Sequence, residues 1–280
     1  MGIQGKAGSA LGVAVVTGAS GGIGKVYADR LAKRGYDLIL VARRKERLEA
    51  LAQELKRRYG VDAEPLVADL GIDADLARVA DILSTDERIT VLVNSAGTAA
   101  WGALVDSQTA DINNLIDVNA KSVTDLSLAV LPRFVKRNSG TIINIGSVLS
   151  FFVVPKNTPY SAVKAHVMLF TLGLREELVN TKVRVQLVLP ATTATDIWDI
   201  SGFGFRNLDP TTIMSAENCV DAALAGLDNG ETVTLPSVED AELWANFDAA
   251  RTKVFEASQT GKVASRYNVG KQVPATHYRK

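Results

Sequence analysis

The chain has 280 residues, 47% of them hydrophobic, and its 31 basic and 31 acidic residues give a formal net charge of zero. This length suffices for one large α/β domain or two small ones, and the balanced charge gives no electrostatic support for nucleic-acid binding. A single cysteine, Cys219, excludes an intramolecular disulfide and suits a reducing compartment. Residues 1–10 lack a signal-peptide pattern and no apolar run reaches about 18 residues. We therefore expect a cytoplasmic protein without a membrane segment.

A glycine-rich stretch follows the first predicted strand. The apolar run at residues 13–16 predicts a buried strand, and residues 25–34 predict a helix with one buried face. Glycines between them let the backbone adopt positive φ, and a helix N-terminus directs free N–H groups and a dipole at an anion. The stretch therefore predicts a phosphate site, although a flexible loop between two elements is the alternative. The expected cofactor contacts in it are Gly18, Ser20, Gly22, Ile23 and Gly24.

The glycine spacing, Thr-Gly-x-x-x-Gly-x-Gly from Thr17 to Gly24, differs from the common dinucleotide fingerprint G-x-G-x-x-G. It resembles the pattern of the classical short-chain dehydrogenase/reductase family, and the resemblance covers about residues 10–235. It implies a doubly wound, Rossmann-type parallel sheet of about seven strands in the order 3-2-1-4-5-6-7, with helices on both faces. It also implies a nicotinamide cofactor and a homodimer or homotetramer. We expect one domain over residues 1–280, with a substrate lid at about 191–215 and a C-terminal extension at about 239–280.

The end of the second predicted strand, residues 37–42, bears on the choice of cofactor. It lies about 20 residues beyond the central glycines, where dinucleotide-binding folds distinguish NAD from NADP. The position that holds Asp in the family is Ala42 here, and Arg43 and Arg44 follow. Because a guanidinium offers forked donors and a fixed charge to phosphate, we predict that Arg43 binds the 2′-phosphate of NADP(H), with Arg44 assisting or stacking on the adenine. The alternative is that both are solvated residues at a helix start.

Asp69 and Leu70 follow the third predicted strand, residues 62–67. They resemble the family's pair beside the adenine, where Asp69 accepts from the exocyclic amine and the Leu70 backbone assists. A helix cap would explain Asp69 equally well.

The fourth predicted strand, residues 89–93, leads into Asn94-Ser95-Ala96-Gly97. This sequence resembles the family's Asn-Asn-Ala-Gly, with Ser95 in place of the second Asn. We expect Asn94 to tie adjacent strands together and the backbones of Ala96 and Gly97 to lie against the cofactor.

Four residues resemble the family's catalytic set. Asn119 lies in a long predicted helical region, residues 111–134, and resembles the asparagine that holds a water near the catalytic lysine; a helix Asn bonded to a neighbour is the alternative. Ser147 follows the fifth predicted strand and resembles the substrate-orienting serine. Tyr160 and Lys164 are four residues apart, so they share one face of a helix.

These residues suit proton transfer at a carbonyl or alcohol oxygen. The ordinary tyrosine pKa of about 10 is too high for a base at neutral pH, and we expect the Lys164 ammonium and the positive nicotinamide to favour the phenolate. Tyr160 then exchanges a proton with the substrate oxygen, and Ser147 donates a hydrogen bond to it. Lys164 also holds the nicotinamide ribose.

The sixth predicted strand, residues 183–189, ends at Pro190, which we expect to contact the cofactor. The family usually has Gly after this proline, so a positive φ at Ala191 would be strained. Thr195 resembles the threonine that bonds the carboxamide, and Thr193 is the alternative.

Residues 197–210 are rich in aromatic residues and glycine. They predict a mobile lid over the substrate, or else a surface loop whose aromatic side chains pack on the body. No charged anchor for a carboxylate or phosphate is evident, which favours a largely apolar substrate pocket. Its expected walls are Leu149, Phe151, Phe152, Val153, Trp198, Phe203 and Phe205.

The C-terminal part begins with a helix that Ser215 caps and that ends near Asp228. Residues 231–235 predict the last strand and residues 239–258 a further helix. The basic tail, residues 262–280, suits a subunit contact and a disordered segment equally. Two histidines and one cysteine form no visible metal-ligand cluster, and we expect His166 and Cys219 to be packing residues.

Taken together, the sequence predicts an NADP(H)-dependent oxidoreductase that acts on a small-molecule carbonyl or secondary alcohol substrate. Tyr160 is the expected general acid and base. Two alternatives stay open: an NAD-dependent enzyme of the same family, and a nucleotide-binding scaffold that keeps the fold without turnover.

Overall fold

The computed structural model describes residues 9–269. Its centre is one parallel sheet of seven strands in the order β3-β2-β1-β4-β5-β6-β7, which confirms the predicted order. The strands are β1 (Val13–Thr17), β2 (Asp37–Ala42), β3 (Ala63–Val67), β4 (Ile89–Asn94), β5 (Gly140–Ile145), β6 (Val183–Val188) and β7 (Val233–Thr234).

The first strand lies at the point where the strand order reverses. β1 pairs with β2 along one edge, with Val13 opposite Asp37, and with β4 along the other, with Val16 opposite Val93. In an open parallel sheet, the crevice for a ligand forms beyond the carboxyl ends of the strands at such a point. The sheet therefore places the glycine stretch after β1 and the Asn94 stretch after β4 beside each other.

Helices cover both faces of the sheet, as the sequence predicts. Because side chains alternate along a strand, Ala14 and Val16 of β1 enter one core cluster and Val13 and Val15 the other. Helices α1, α2 and α8 pack on the first face and α3, α5 and α6 on the second. The helices of the described chain are α1 (Gly22–Lys33), α2 (Lys45–Tyr59), α3 (Asp73–Thr85), α4 (Thr109–Ile116), α5 (Ser122–Lys136), α6 (Thr158–Glu177), α7 (Ile197–Ile200), α8 (Ala216–Asp228) and α9 (Glu242–Ser258).

The long helical region after β4 is irregular at a π-helical turn and not at its proline. Pro132 lies inside α5 without ending it. It is exposed, as is Leu128 one turn earlier, so the Leu128 carbonyl that loses its N–H partner lies on the solvent side of the helix. The irregularity is instead a π-helical turn at Asp117–Lys121, between α4 and α5. Such turns occur frequently at functional sites, and this one carries Asn119.

Two compact units divide the chain, one up to Ser237 and one from Val238 onward, where the predicted C-terminal extension begins. The second contains α9, in which Trp244 packs on Phe247 with ring centroids 5.4 Å apart. Ser215 caps α8 as expected, accepting a hydrogen bond from the Asn218 N–H. Of the tail, residues 270–280 lie outside the described part of the chain. None of the helices described is long and apolar enough to cross a membrane.

Candidate active site

A cleft of about 640 Å³ opens at the carboxyl edge of the sheet. It runs between two groups of residues that differ in chemistry. We call the first the glycine end; it consists of Gly18 and residues 20–24 with Arg43, Asp69 and Ala96. We call the second the aromatic end; it consists of Trp101, Leu149, Val154, Trp198 and Phe203. Ser147, Tyr160 and Lys164 line the cleft too.

The glycine end leaves no room for side chains. Gly18 has φ +69°, and a Cβ there would lie 2.9 Å from the Ala96 Cα. A Cβ at Gly24 would lie 2.5 Å from the Gly18 carbonyl oxygen, so α1 packs directly on the turn. Thr17 fixes the opposite wall, because its Oγ1 accepts from the N–H groups of Ser95 and Ala96, both at 3.0 Å. The free N–H groups at the start of α1 therefore border the cleft.

The two arginines after β2 differ in their contacts. Arg43 is 60% exposed and its guanidinium lies 3.6 Å from the Asp69 carboxylate, at the border of the cleft. Arg44 crosses the glycine turn, where Nε donates to Ser20 Oγ at 3.1 Å and Nη1 donates to Asp196 Oδ2 at 2.9 Å. Arg44 is thus held by Ser20 and Asp196, whereas Arg43 extends into the solvent beside the cleft.

Asp69 and Leu70 both line the glycine end. Asp69 Oδ1 accepts from the Gly71 N–H at 3.0 Å. The N-cap of α3 is Ile72, so Asp69 closes a turn and does not cap that helix.

Two of the predicted site asparagines lie behind the described cleft lining rather than in it. Asn94 is buried and donates from Nδ2 to Asn144 Oδ1 at 2.8 Å, so it ties β4 to β5 as expected. Asn119 donates from Nδ2 to the carbonyls of Thr98 and Leu115, both at 2.9 Å. Its Oδ1 is buried and has no hydrogen-bond partner among the described residues. The neighbour-bonded alternative thus accounts for the Asn119 amide nitrogen but not for its oxygen.

Ser147, Tyr160 and Lys164 line the same cleft as the glycine turn. Ser147 follows β5, and its Oγ accepts from the Leu149 N–H at 3.1 Å. Tyr160 and Lys164 lie one turn apart on α6, with Lys164 Nζ 5.6 Å from the centre of the Tyr160 ring. Lys164 is 5% exposed and donates to the Ile145 carbonyl at 3.0 Å.

Burial sets the proton affinities of this pair. It raises the pKa of Tyr160 to about 12, and a hydrogen bond with the Ser147 side chain only partly opposes the rise. It also lowers the pKa of Lys164 to about 8. The expected lowering of the Tyr160 pKa by Lys164 is not found among the protein's own groups, because Lys164 is directed at the Ile145 carbonyl. At neutral pH, the protein alone keeps Tyr160 as a phenol that can give up a proton.

The segment after β6 brings Pro190, Thr193 and Thr195 to the cleft. The Thr193 hydroxyl donates to the Ala191 carbonyl at 3.1 Å. The Thr195 side chain packs against the start of α1. A Cβ on Gly22, the first residue of that helix, would lie 2.9 Å from Thr195 Cγ2. Non-glycine residues with positive φ in the described chain are Asn138, Lys156 and Asn268. Ala191 is not one of them, so it fits this loop without the expected strain.

The aromatic end joins segments that are far apart in sequence. The ring centroids of Trp101 and Phe203 lie 4.5 Å apart, and the backbone N–H of Trp101 donates to the Ser201 carbonyl at 2.9 Å. Sequence reasoning identified Trp198 and Phe203 but missed Trp101, which lies seven residues beyond Asn94, past the small-residue motif after β4. That proximity to the carboxyl end of a central strand was the available signal.

Three expected pocket walls lie elsewhere. Phe151, Phe152 and Val153 are exposed and lie outside the described cleft lining, while Leu149 and Val154 line it. The segment turns its side chains away from the cleft between these two positions. For Phe205, only the backbone is described.

A dinucleotide fits the glycine end. Gly18 and the first residues of α1 line this part of the cleft with backbone, and a helix N-terminus suits a pyrophosphate. The unpartnered Asn119 Oδ1 lies 3.0 Å from the position of a Cβ on Gly97, so this region is also closed to larger side chains.

Residues expected to pack do so. His166 stacks on Phe170 and contacts Thr124, and Cys219 is buried, with burial raising the pKa of its thiol to about 11. Within residues 9–269, no group of three or more His, Cys, Asp or Glu side chains is placed to hold a metal ion.

Comparisons with known proteins agree with this geometry. The chain is 43% identical to a short-chain dehydrogenase from Sphingobium yanoikuyae solved in complex with NADPH, with a TM-score of 0.89 over 91% of this chain and 99% of that one. It is 38% identical to the bulky-bulky ketone specific alcohol dehydrogenase from Comamonas testosteroni, with a TM-score of 0.84 over 91% and 98% of the two chains. It is also 39% identical to a very-long-chain 3-oxoacyl-CoA reductase from Anas platyrhynchos, over 72% of this chain but only 66% of that protein.

The family model for short chain dehydrogenases matches residues 12–201, which include the glycine stretch, Ser147, Tyr160 and Lys164. Family members are oxidoreductases that use NAD(P)(H), in keeping with the dinucleotide-shaped glycine end. The chain therefore belongs to the classical short-chain dehydrogenase/reductase family.

Proposed function

We propose that this protein is an NADP(H)-dependent oxidoreductase that transfers a hydride between the nicotinamide and a carbonyl or secondary alcohol. The observation that carries the proposal is the meeting of Ser147, Tyr160 and Lys164 in one cleft whose other end is the glycine turn. Because proton transfer and dinucleotide binding need to occur side by side, this juxtaposition favours an enzyme over a nucleotide-binding scaffold.

NADP(H) is the proposed cofactor because of Arg43. Its guanidinium lies at the cleft border after β2 and is mostly exposed, so its donors are accessible to a 2′-phosphate. Arg44 would assist from across the turn. The Sphingobium yanoikuyae protein, solved with NADPH, supports the assignment.

The other cofactor contacts follow from the positions of the lining residues. The backbone of the glycine turn would hold the pyrophosphate, Asp69 and Leu70 the adenine, and Lys164 the nicotinamide ribose. Thr195 would bond the carboxamide, because the Thr193 hydroxyl already donates to Ala191.

The bound nicotinamide supplies the hydride in reduction and accepts it in oxidation. Tyr160 gives a proton to the substrate oxygen in reduction, for which its raised pKa of about 12 keeps the phenol protonated. Ser147 donates its hydroxyl proton to the same oxygen, while a lone pair of its Oγ accepts from the Leu149 N–H. Asn119 ties the turn between α4 and α5 to α4 and to the loop after β4, through its contacts with the carbonyls of Leu115 and Thr98.

The proposed substrate is a bulky, largely apolar carbonyl compound. The aromatic end is lined by indole, phenyl and aliphatic side chains, which bury apolar area around a ligand. The ketone specificity stated for the Comamonas testosteroni enzyme supports this class. Residues 191–215 would act as a lid, because Trp198, Ser201 and Phe203 line the cleft.

We also propose that the protein works as a homodimer or homotetramer. Helices α5 and α6 carry exposed apolar side chains, among them Leu128 at 65% and Leu169 at 52% exposure. Burial of such side chains between subunits would be favourable. Light scattering of the purified protein tests this, and a monomer at micromolar concentration would contradict it.

The function is tested by following NADPH consumption with a panel of aryl ketones, short ketones and a 3-oxoacyl thioester. We expect turnover with bulky ketones, and the Tyr160→Phe variant should lose about 10²- to 10⁴-fold in kcat while it retains NADPH binding. Tyr59→Phe is the matched control, because Tyr59 lies outside the described cleft lining and its hydroxyl bonds Asp29. Turnover by Tyr160→Phe at the wild-type rate would remove Tyr160 from the mechanism. Binding of NADPH without turnover of any carbonyl would favour the scaffold.

A further inference from the structure

Ser150 makes two hydrogen bonds that join the catalytic loop to the catalytic helix. It ends the short 3₁₀ turn Val148–Ser150 after β5 and is 6% exposed. Its Oγ accepts from the Ser147 N–H at 3.3 Å and donates to the Lys164 carbonyl at 2.9 Å. One buried hydroxyl thus links the backbones of two residues of the proposed active site.

This link matters because the active groups come from two different elements. Ser147 lies on a loop, whereas Tyr160 and Lys164 lie on α6. The two hydroxyl groups that would face the substrate oxygen, on Ser147 and Tyr160, can be aligned only if loop and helix keep a fixed spacing. Lys164 Nζ gives a second connection through the Ile145 carbonyl, but that connection is made by a flexible side chain which the proposed chemistry also uses.

The turn also orients the Ser147 hydroxyl. Ser147 and Ser150 form a reciprocal pair in which Ser147 Oγ accepts from backbone N–H groups of the turn and Ser150 Oγ accepts from the Ser147 N–H. With a lone pair of Ser147 Oγ engaged by Leu149, its proton is left to point toward the cleft. Loss of the Ser150 hydroxyl would remove the hydrogen bond from the Ser147 N–H and leave only the one that Ser147 Oγ accepts.

We propose that Ser150 is a positioning residue that holds Ser147 in register with Tyr160 through its bridge to the Lys164 carbonyl. The inference rests on the proposed function, because it assumes that Ser147 and Tyr160 act on one substrate oxygen. Small displacements of reacting groups have large effects on rate, so Ser150 controls turnover, whereas cofactor binding, most of whose proposed contacts lie at the glycine end, changes little.

The first test separates turnover from cofactor binding. Ser150→Ala should lower kcat about tenfold to hundredfold and leave the Kd for NADPH within about twofold of wild type. Ser150→Cys keeps the side-chain length, but a thiol forms weaker hydrogen bonds than a hydroxyl. Its kcat should therefore lie between that of the wild type and that of Ser150→Ala. If Ser150→Ala does not fold, Ser150→Cys is tested in its place and should show a kcat below that of the wild type with the Kd for NADPH unchanged. A kcat within about twofold of wild type for the folded variants would overturn the proposal.

The matched control is Ser161→Ala. Ser161 is 5% exposed and lies next to Tyr160 on α6, and its hydroxyl has no hydrogen-bond partner among the described residues. Its removal tests the effect of deleting a buried hydroxyl close to the active site without deleting a bridge. We expect kcat close to wild type, and a loss equal to that of Ser150→Ala would show that proximity rather than bridging matters.

The second test is a double-mutant cycle with Ser147→Ala, measured in single turnovers at high enzyme concentration. If Ser150 acts through Ser147, its removal should cost little further rate once the Ser147 hydroxyl is gone. The same fold-loss in both backgrounds would mean a merely structural role and would overturn the proposal. Failure of the proposed function looks different: the wild type would reduce no carbonyl, or Tyr160→Phe would stay active.

Discussion

The glycine end and the aromatic end of the cleft are built in different ways. The glycine end is backbone packed on backbone, with a Cβ at Gly18 or Gly24 coming within 3 Å of main-chain atoms. The aromatic end is made of partly exposed side chains from three separate segments, joined by single contacts such as the Trp101–Phe203 pair. Substitutions at the first should therefore disturb cofactor binding and fold together. Substitutions at the second should change the range of substrates and little else.

Gly18→Ala should have the largest effect at the glycine end. Alanine is strained at φ +69°, and its Cβ would also collide with the Ala96 backbone. We expect a lower Tm and no NADPH binding at concentrations that saturate the wild type. Gly60→Ala is the matched control, since Gly60 has φ +72° and a Cβ there meets no described atom within 4 Å. It should cost only the backbone strain, about 1–2 kcal/mol, and should bind NADPH normally. Equal behaviour of both variants would contradict the tight packing of the turn.

Arg43→Ala should weaken NADPH binding about tenfold to hundredfold, because charge-assisted hydrogen bonds contribute about 1.5–3 kcal/mol. NADH binding should change little, since NADH lacks the 2′-phosphate. Arg47→Ala is the control, because Arg47 is similarly exposed but pairs with Asp196 and does not itself line the described cleft. Titration of each variant with both cofactors measures the effect, and equal losses for NADPH and NADH would indicate a structural role for Arg43.

At the aromatic end, Trp101→Ala should raise the KM for an aryl ketone about tenfold, which corresponds to the loss of one aromatic contact of about 1.4 kcal/mol. The Kd for NADPH should stay within about twofold. Trp244→Ala removes another tryptophan packed on a phenylalanine, in α9, and should leave the KM unchanged. If both variants alter the KM equally, Trp101 is no specific wall of the pocket.

The smallest expected effect is that of pH on the rate of carbonyl reduction, which depends on Tyr160 and Lys164. Tyr160 must be protonated to donate, and its pKa of about 12 keeps it so through the neutral range. Lys164, with a pKa lowered to about 8, loses its charge as the pH rises through that value. Reduction should therefore be nearly constant below about pH 7 and decline a few-fold above pH 8. A rate that rises with pH throughout would contradict a proton-donating Tyr160.

The same contrast explains which features were predictable from the sequence. The glycine spacing and the Tyr160–Lys164 pair are local patterns, because a turn and one helical repeat fix their geometry. The sheet order follows from the family resemblance. Such features can be predicted without knowledge of long-range contacts.

Features that depend on distant contacts were not predictable. The Trp101–Phe203 pair joins residues about a hundred positions apart. Phe151, Phe152 and Val153 are exposed outside the cleft, and this depends on how their segment packs beside the cleft in the folded chain. The Ser150 bridge likewise appears only once β5 and α6 lie side by side.

The most direct test of the central claim is a calorimetric titration of the wild-type protein with NADPH and with NADH. The glycine turn and Arg43 together predict that both bind at one site per chain, with NADPH at least about tenfold tighter. NADH binding as tightly as NADPH, or more tightly, would contradict the assignment of Arg43 and make the protein an NAD-dependent member of its family.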